Sequence, residues 1–186
     1  ELNLNDPQEL FEKGEWTWDK FDEICSVLQE NGKSGLIQNG DNIRLYNWVF
    51  ANGGTVWDGE TYKFDDKAKE AFLYVCERLK DGRFVYGGTL PDGQGEDAMF
   101  MSRQVGFIGA GRWLTRTFHE EGIDFDYIPY PSKDGTQYSP AQVCCGYLSV
   151  NANSEHIEEA MKFASFYCGT QGQEARIQGV GTSVPS

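Results

Sequence analysis

From Trp18 to Leu28 the apolar side chains Trp18, Phe21, Ile24, Cys25 and Leu28 recur at helical spacing. Thr17 precedes them as a cap and Asn31-Gly32 follow as a stop, so this stretch reads as an amphipathic helix. A shorter helix at 7–13 is opened by Asp6 and Pro7 and closed at Gly14. A mostly buried helix over 42–50 runs into Asn52-Gly53-Gly54. Asp65 then opens another, with Ala68, Ala71, Phe72, Val75 and Leu79 as its inner stripe and Gly82 as its stop. Further helices are expected at 96–101 and 112–121. A helix capped by Ser154 has Ile157, Ala160, Met161, Ala164 and Tyr167 as its core face and ends at Gly169, and a last one runs from Thr170 to Gln178-Gly179.

Between these helices lie short apolar runs that read as strands, at 35–38, 105–108, 125–128 and 143–150, the last of them buried. Thr55-Val56-Trp57 and the run from Thr61 to Phe64, joined through Asp58-Gly59-Glu60, read as a small hairpin. Residues 87–95 are a loop by composition, and the polar stretch 132–142 is the best linker candidate. Short strands alternating with helices place the chain in the α/β class of layered folds.

At 186 residues with 39% hydrophobic and 14% aromatic positions, the chain can bury a core of one domain or one and a fraction. Sixteen basic against 29 acidic residues leave a net charge of −13. No Lys/Arg cluster interrupts that excess, so nucleic acid and anionic membrane surfaces are excluded as partners on electrostatic grounds. No apolar run reaches the length of a membrane span, and the first residues have neither the basic nor the apolar segment of a signal peptide. The five cysteines show no CxxC spacing and read as buried, reduced thiols.

Candidate chemistry is sparse. Gly109-Ala110-Gly111-Arg112-Trp113 falls between a strand and a helix. Leu114 breaks the GxGxxG pattern of a dinucleotide loop, and no GK[ST] follows. Two readings remain: a donor-rich rim with Trp113 beside it, suited to a polyhydroxylated ligand, or a tight turn with a core tryptophan. Asp41-Asn42-Ile43-Arg44 is a polar cluster at a helix N-terminus, either facing a ligand or serving as an ordinary cap. Trp16 and Trp18 read as core residues at a helix start. His119 and His156 lack zinc-ligand spacing, no two carboxylates can be paired across a cleft, and no nucleophile has an identifiable base. The sequence calls for no metal and no cofactor.

The order of segments is more specific than any one of them. The run Glu15-Trp16-Thr17-Trp18-Asp19-Lys20-Phe21 resembles the "TWDEF" element of family 1 extracellular solute-binding proteins, the receptors of ABC sugar importers. Ala51-Asn52-Gly53-Gly54 is similar to their "NGG" segment, and Met99-Phe100-Met101 through Gly111-Arg112-Trp113 to their "GkaAM…g.w" element. The run from Phe125 to Pro131 resembles "dygvaplP". Asn153 to Phe163, followed by Thr170-Gln171-Gly172-Gln173, resembles "skhkeeAwkFl.fl.s.egq".

The resemblance implies periplasmic-binding-protein type II lobes, truncated at both ends: residues 1–131 as the second lobe, 132–142 as hinge, 143–186 as a partial return to the first. It implies that Trp113, with Gly111 and Arg112, and Asp41 with Arg44 contact a mono- or oligosaccharide, although an aromatic expected beside them appears here as Ile43. It further implies a non-enzymatic receptor, either a cell-surface lipoprotein or periplasmic, that closes on its ligand and hands it to ABC permease membrane subunits. A partial lobe would expose Phe163, Phe166 and Tyr167 and favour self-association. A carboxylate enzyme acting on glycans and a structural α/β domain without a ligand are the alternatives.

Overall fold

A computed structural model describes residues 2, 4–91, 94–135 and 146–180. The chain divides into two compact units, one of residues 1–109 and 125–142, the other of 110–124 and 143–186.

The first unit is built on a three-stranded parallel sheet: β1 (Ser34–Gln38), β2 (Phe84–Tyr86) and β3 (Val105–Ile108), in the order β2-β1-β3. Leu36 lies opposite both Phe84 and Phe107. The helices are α1 (Pro7–Glu12), α2 (Trp18–Glu30), α3 (Asn42–Ala51), α4 (Asp66–Asp81) and α5 (Glu96–Met101). Their starts follow capping chemistry: Asp6, Thr17, Asp41 and Asp65 each accept a hydrogen bond from a backbone N–H of the first turn. Gly82 ends α4 in the left-handed conformation, at φ 82°.

Aromatic rings fill the core. Trp48 is fully enclosed, donates its indole N–H to Gln38 Oε1 at 2.9 Å, and packs against Phe21, Tyr74, Phe84 and Tyr130. Helix α2 lies so close to β1 that a Cβ on Gly35 would sit 2.7 Å from Cys25 Cβ and 2.8 Å from the Arg83 carbonyl. A small cavity of about 50 Å³ lies among Trp16, Phe107, Ile128 and Tyr130.

Strand β2 was not expected from the sequence. Conversely, 125–128 forms no strand. The segment is held to the first unit by side chains instead: Trp16 donates to the Pro129 carbonyl at 2.8 Å, Trp18 to the Pro131 carbonyl at 3.1 Å, and Thr17 bridges Ser132. Proline has no N–H to give a ladder, and the two indoles satisfy the carbonyls of Pro129 and Pro131 just beyond the expected strand. The expected hairpin reduces to one bridge, Trp57 to Tyr62, and a 3-10 turn at Gly87–Thr89 begins the expected loop.

In the second unit a 3-10 turn, Arg112–Leu114, precedes α6 (Thr115–Glu120), where one continuous helix was expected. Helices α7 (Ile157–Cys168) and α8 (Thr170–Val180) follow. Gly172 lets them meet closely, since a side chain there would strike the Phe166 carbonyl. The expected core face of α7 is not buried: Ile157 and Met161 are exposed and Ala160, Ala164 and Tyr167 only half-buried, while Phe163 and Phe166 are exposed as a partial lobe would leave them. Nor is 146–150 a buried strand; it is unpaired and mostly exposed, because no strand among the described residues flanks it to take its N–H and C=O groups. Positions 136–145, with most of the linker candidate, lie outside the described residues.

Candidate functional site

All three strands of the sheet point the same way, so their carboxyl ends share one edge. In open parallel sheets that edge is where ligands bind. Here it assembles a chain of polar contacts. Past Gln38 the backbone turns through Asn39-Gly40 to Asp41, which caps α3 by accepting the Arg44 N–H at 2.8 Å. The Arg44 guanidinium turns back over this cap. Its Nε donates to the Gly109 carbonyl at 2.9 Å, just past β3, while its two terminal nitrogens pair with Asp41 and with Glu96. Glu96 opens α5 and accepts from Asn39 Nδ2 at 2.9 Å.

Electrostatics follow burial and pairing. For Asp41 burial pushes the carboxyl upward, but the backbone N–H and guanidinium of Arg44 outweigh it and hold the group below its ordinary value. For Glu96 the order reverses: burial dominates the attraction of Arg44, and the carboxyl lies above its ordinary value. Burial likewise pushes the nearby Tyr130 hydroxyl up to about 12. The Arg44 side chain is only 22% exposed and each of its three guanidinium nitrogens makes a hydrogen bond, so it positions three chain segments and its charge is paired with two carboxylates.

Beyond Asn39, Tyr86 ends β2 with 47% of its surface exposed. A Cβ on Gly40 would sit 2.7 Å from its hydroxyl oxygen, and one on Gly88 would sit 2.5 Å from its ring. Side chains at these positions would collide with the tyrosine, so the ring rests on bare backbone. A side chain on Gly87 would strike the Asn39 amide.

The second unit holds the other sequence-expected residues. Trp113 is 60% exposed, and its indole folds back over Gly111, where any Cβ would lie within the ring's van der Waals envelope. Of the two readings of this turn, the core tryptophan is excluded by that exposure. Arg112 is exposed beside it in the 3-10 turn. Asp41 and Arg44 therefore meet in one unit, while Gly111, Arg112 and Trp113 share the other.

Three neighbours of Arg44 and Tyr86 escaped the sequence reading. Glu96 fell at the start of the expected 96–101 helix without being singled out, Asn39 was not singled out either, and Tyr86 ends a strand that was not foreseen. The sequence had also offered no pair of carboxylates, whereas the fold brings Asp41 and Glu96 onto one guanidinium. Elsewhere, Trp16 and Trp18 are buried as expected; of the cysteines expected to be buried, Cys25 is, with its thiol pushed up to about 12, whereas Cys76 and Cys168 are exposed on the outer faces of their helices. Among the described residues no group of three or more His, Cys, Asp or Glu side chains could hold a metal ion, and no helix is long and apolar enough to cross a membrane.

Comparison with known proteins agrees with this architecture. No curated protein sequence matches the chain. Among solved structures, the ABC substrate-binding protein Lmo0181 from Listeria monocytogenes, in complex with cycloalternan, is similar with a TM-score of 0.69 at 20% identity. The match covers 96% of this chain and 48% of that one, so the chain spans about half the length of that protein. At this identity the likeness carries the fold: helices on a parallel sheet, as in substrate-binding proteins. The sequence pattern of the bacterial extracellular solute-binding proteins matches residues 8–186, the range that holds both the sheet edge and the Trp113 turn, and the chain belongs to that family.

Proposed function

We propose that this chain is part of an extracytoplasmic receptor that binds a neutral mono- or oligosaccharide and delivers it to the membrane subunits of an ABC permease. The observation that carries this reading, within the family, is Trp113: a large aromatic ring seated on Gly111 and open to solvent. Such a ring packs against the C–H face of a pyranose, while neighbouring polar groups take its hydroxyls. Arg112, in the same 3-10 turn, supplies one such neighbour, and the Asp41–Arg44 turn of the first unit is a separate candidate contact. The cycloalternan bound to Lmo0181 gives the ligand class a precedent within the same fold.

In this reading two lobes close on the sugar and the ligand biases the open–closed equilibrium, with residues 1–131 as one lobe, 132–142 as hinge and 143–186 as a return into the other. The receptor is periplasmic or a surface lipoprotein and needs neither metal nor cofactor. The reading is of a binding protein rather than an enzyme: at the sheet edge Asp41 and Glu96 are both committed to Arg44, so neither is poised as a general acid or base.

The test is a thermal-shift screen of the complete gene product with saccharides, amino acids and peptides. At least one saccharide raises the melting temperature, and Trp113→Ala abolishes the rise. The proposal fails if no saccharide shifts the transition or if an amino acid or peptide does so instead.

A further inference from the structure

Tyr86 occupies an unusual place in the first unit. Residues two apart in a strand share a face, so Tyr86 follows Phe84 on the side turned to the core. Phe84 is buried; Tyr86, opposite Gln38 in the last paired row of β1 and β2, is half open to water. The ring is held by backbone: Gly40 lies against its hydroxyl edge, Gly88 against its other edge, and Thr89 Oγ1 donates to the Tyr86 carbonyl at 2.8 Å. A glycine at each side keeps the approach to the ring clear. A substituent at either site would need the tyrosine to move.

The ring also adjoins the polar chain of the sheet edge. Its hydroxyl lies against Gly40, the residue before Asp41. Gly87, the residue after it, touches the Asn39 amide that is anchored to Glu96. Because the Arg44 charge is paired with Asp41 and Glu96, with Nε on the Gly109 carbonyl, Arg44 does not act as an unpaired cation at this edge. The edge offers an aromatic face and a phenol hydroxyl beside neutralised charge, a combination suited to an uncharged polyol ring and unsuited to an anion.

We propose that Tyr86 is a second stacking platform, a subsite at the carboxyl edge of the first unit's sheet that takes one pyranose ring of a neutral saccharide. The proposal rests on the carbohydrate reading above. Arg44 acts behind it as a positioning residue, fixing Asp41 and, through Glu96, Asn39.

The experiment is calorimetric titration of the complete gene product with a panel of neutral saccharides that includes cycloalternan and maltotetraose, repeated on three variants. Tyr86→Phe keeps the ring and binds within about threefold of the parent. Tyr86→Leu keeps bulk without a π face and Tyr86→Ala keeps neither; both lose at least about tenfold in affinity, the equivalent of about 1.4 kcal/mol. Melting temperatures without ligand show that the variants are folded, as expected for a side chain this exposed. Unchanged affinity in Tyr86→Ala, or a loss in Tyr86→Phe as large as in Tyr86→Ala, overturns the platform while leaving the carbohydrate reading intact. If the parent binds no saccharide of the panel, both readings fall together.

Discussion

Arg78→Met tests whether the ionic cluster under α2 and α4 holds the first unit together. Asp22, 9% exposed on α2, accepts the Tyr74 hydroxyl at 2.8 Å and Arg78 Nε at 3.0 and 3.1 Å, pairs with a terminal nitrogen of Arg78, and pairs with Arg83 at 3.1 Å. The Arg78 guanidinium lies 4.3 Å from the centre of the Tyr74 ring, on which Trp18 stacks at 4.2 Å. Removing one partner of a buried pair costs about 3–5 kcal/mol when the other is stranded. Asp22 keeps Arg83 and Tyr74, and the cluster has some access to water, so Arg78→Met should cost roughly 2–3 kcal/mol. At roughly 3 °C per kcal/mol for a chain of this size, the melting temperature falls by about 6–9 °C. Urea titration followed by tryptophan fluorescence reads this unit, since Trp16, Trp18 and Trp48 are buried in it. Adding Asp22→Asn deletes the stranded charge while keeping an acceptor for Tyr74, so the double variant is more stable than the sum of the single losses by about 1–2 kcal/mol. A loss below about 0.5 kcal/mol for Arg78→Met, or strict additivity in the cycle, would refute the argument.

Two further outcomes follow from α2 against β1. Gly35→Ala forces a methyl group between Cys25 and the Arg83 carbonyl, where backbone cannot yield; it should lower stability by about 1–3 kcal/mol in the same urea assay, and a neutral result sinks the packing claim. The buried Cys25 thiol should resist Ellman's reagent in the native protein while exposed Cys76 reacts, and should react once urea unfolds the chain. Because burial raises its native pKa to about 12 from about 9, its contribution to stability is complete below pH 9 and declines as pH rises from 9 toward 12, by up to about 1.4 kcal/mol per pH unit. Burial also raises the Tyr74 hydroxyl, with Asp22 adding to it, and this deepens the alkaline loss. Cys25→Ala should lessen the alkaline slope; an unchanged slope assigns it elsewhere.

What was legible in the chain was local. Asp6, Thr17, Asp65 and Gly82 mark the ends of α1, α2 and α4 because caps and left-handed stops act within a few residues, and the stripe of α2 is buried as its spacing demands. The failures involve partners far along the chain. Phe84-Val85-Tyr86 becomes a strand only because β1 pairs with it, and three residues carry too little periodicity to be seen alone. Residues 125–128 and 146–150 have strand-like composition, yet one is fastened through indoles and the other has no flanking strand. The site divides in the same way. Asp41 and Arg44, a cap and its first turn, were visible as a cluster three residues apart. Glu96, 52 residues beyond Arg44, is brought to it only by the β1-to-β3 pairing and the start of α5.

That division has a chemical consequence. The residues most visible as chemistry, the charged pair at the start of α3, turn out to satisfy each other and Glu96, so they shape the edge of the sheet without offering charge to a ligand. The groups that the proposed reading assigns to a ligand are aromatic. Trp113 lies over Gly111 and Tyr86 against Gly88, in each case a ring folded onto a glycine two residues away in sequence, with 60% and 47% of the residue exposed. A ring that rests on backbone buries one side and loses little side-chain entropy when the other side meets a ligand. Under the carbohydrate reading, and in a chain of net charge −13 where an anionic ligand meets general repulsion, each such ring favours an uncharged partner with alternating apolar and hydroxylated faces, which is the surface of a pyranose.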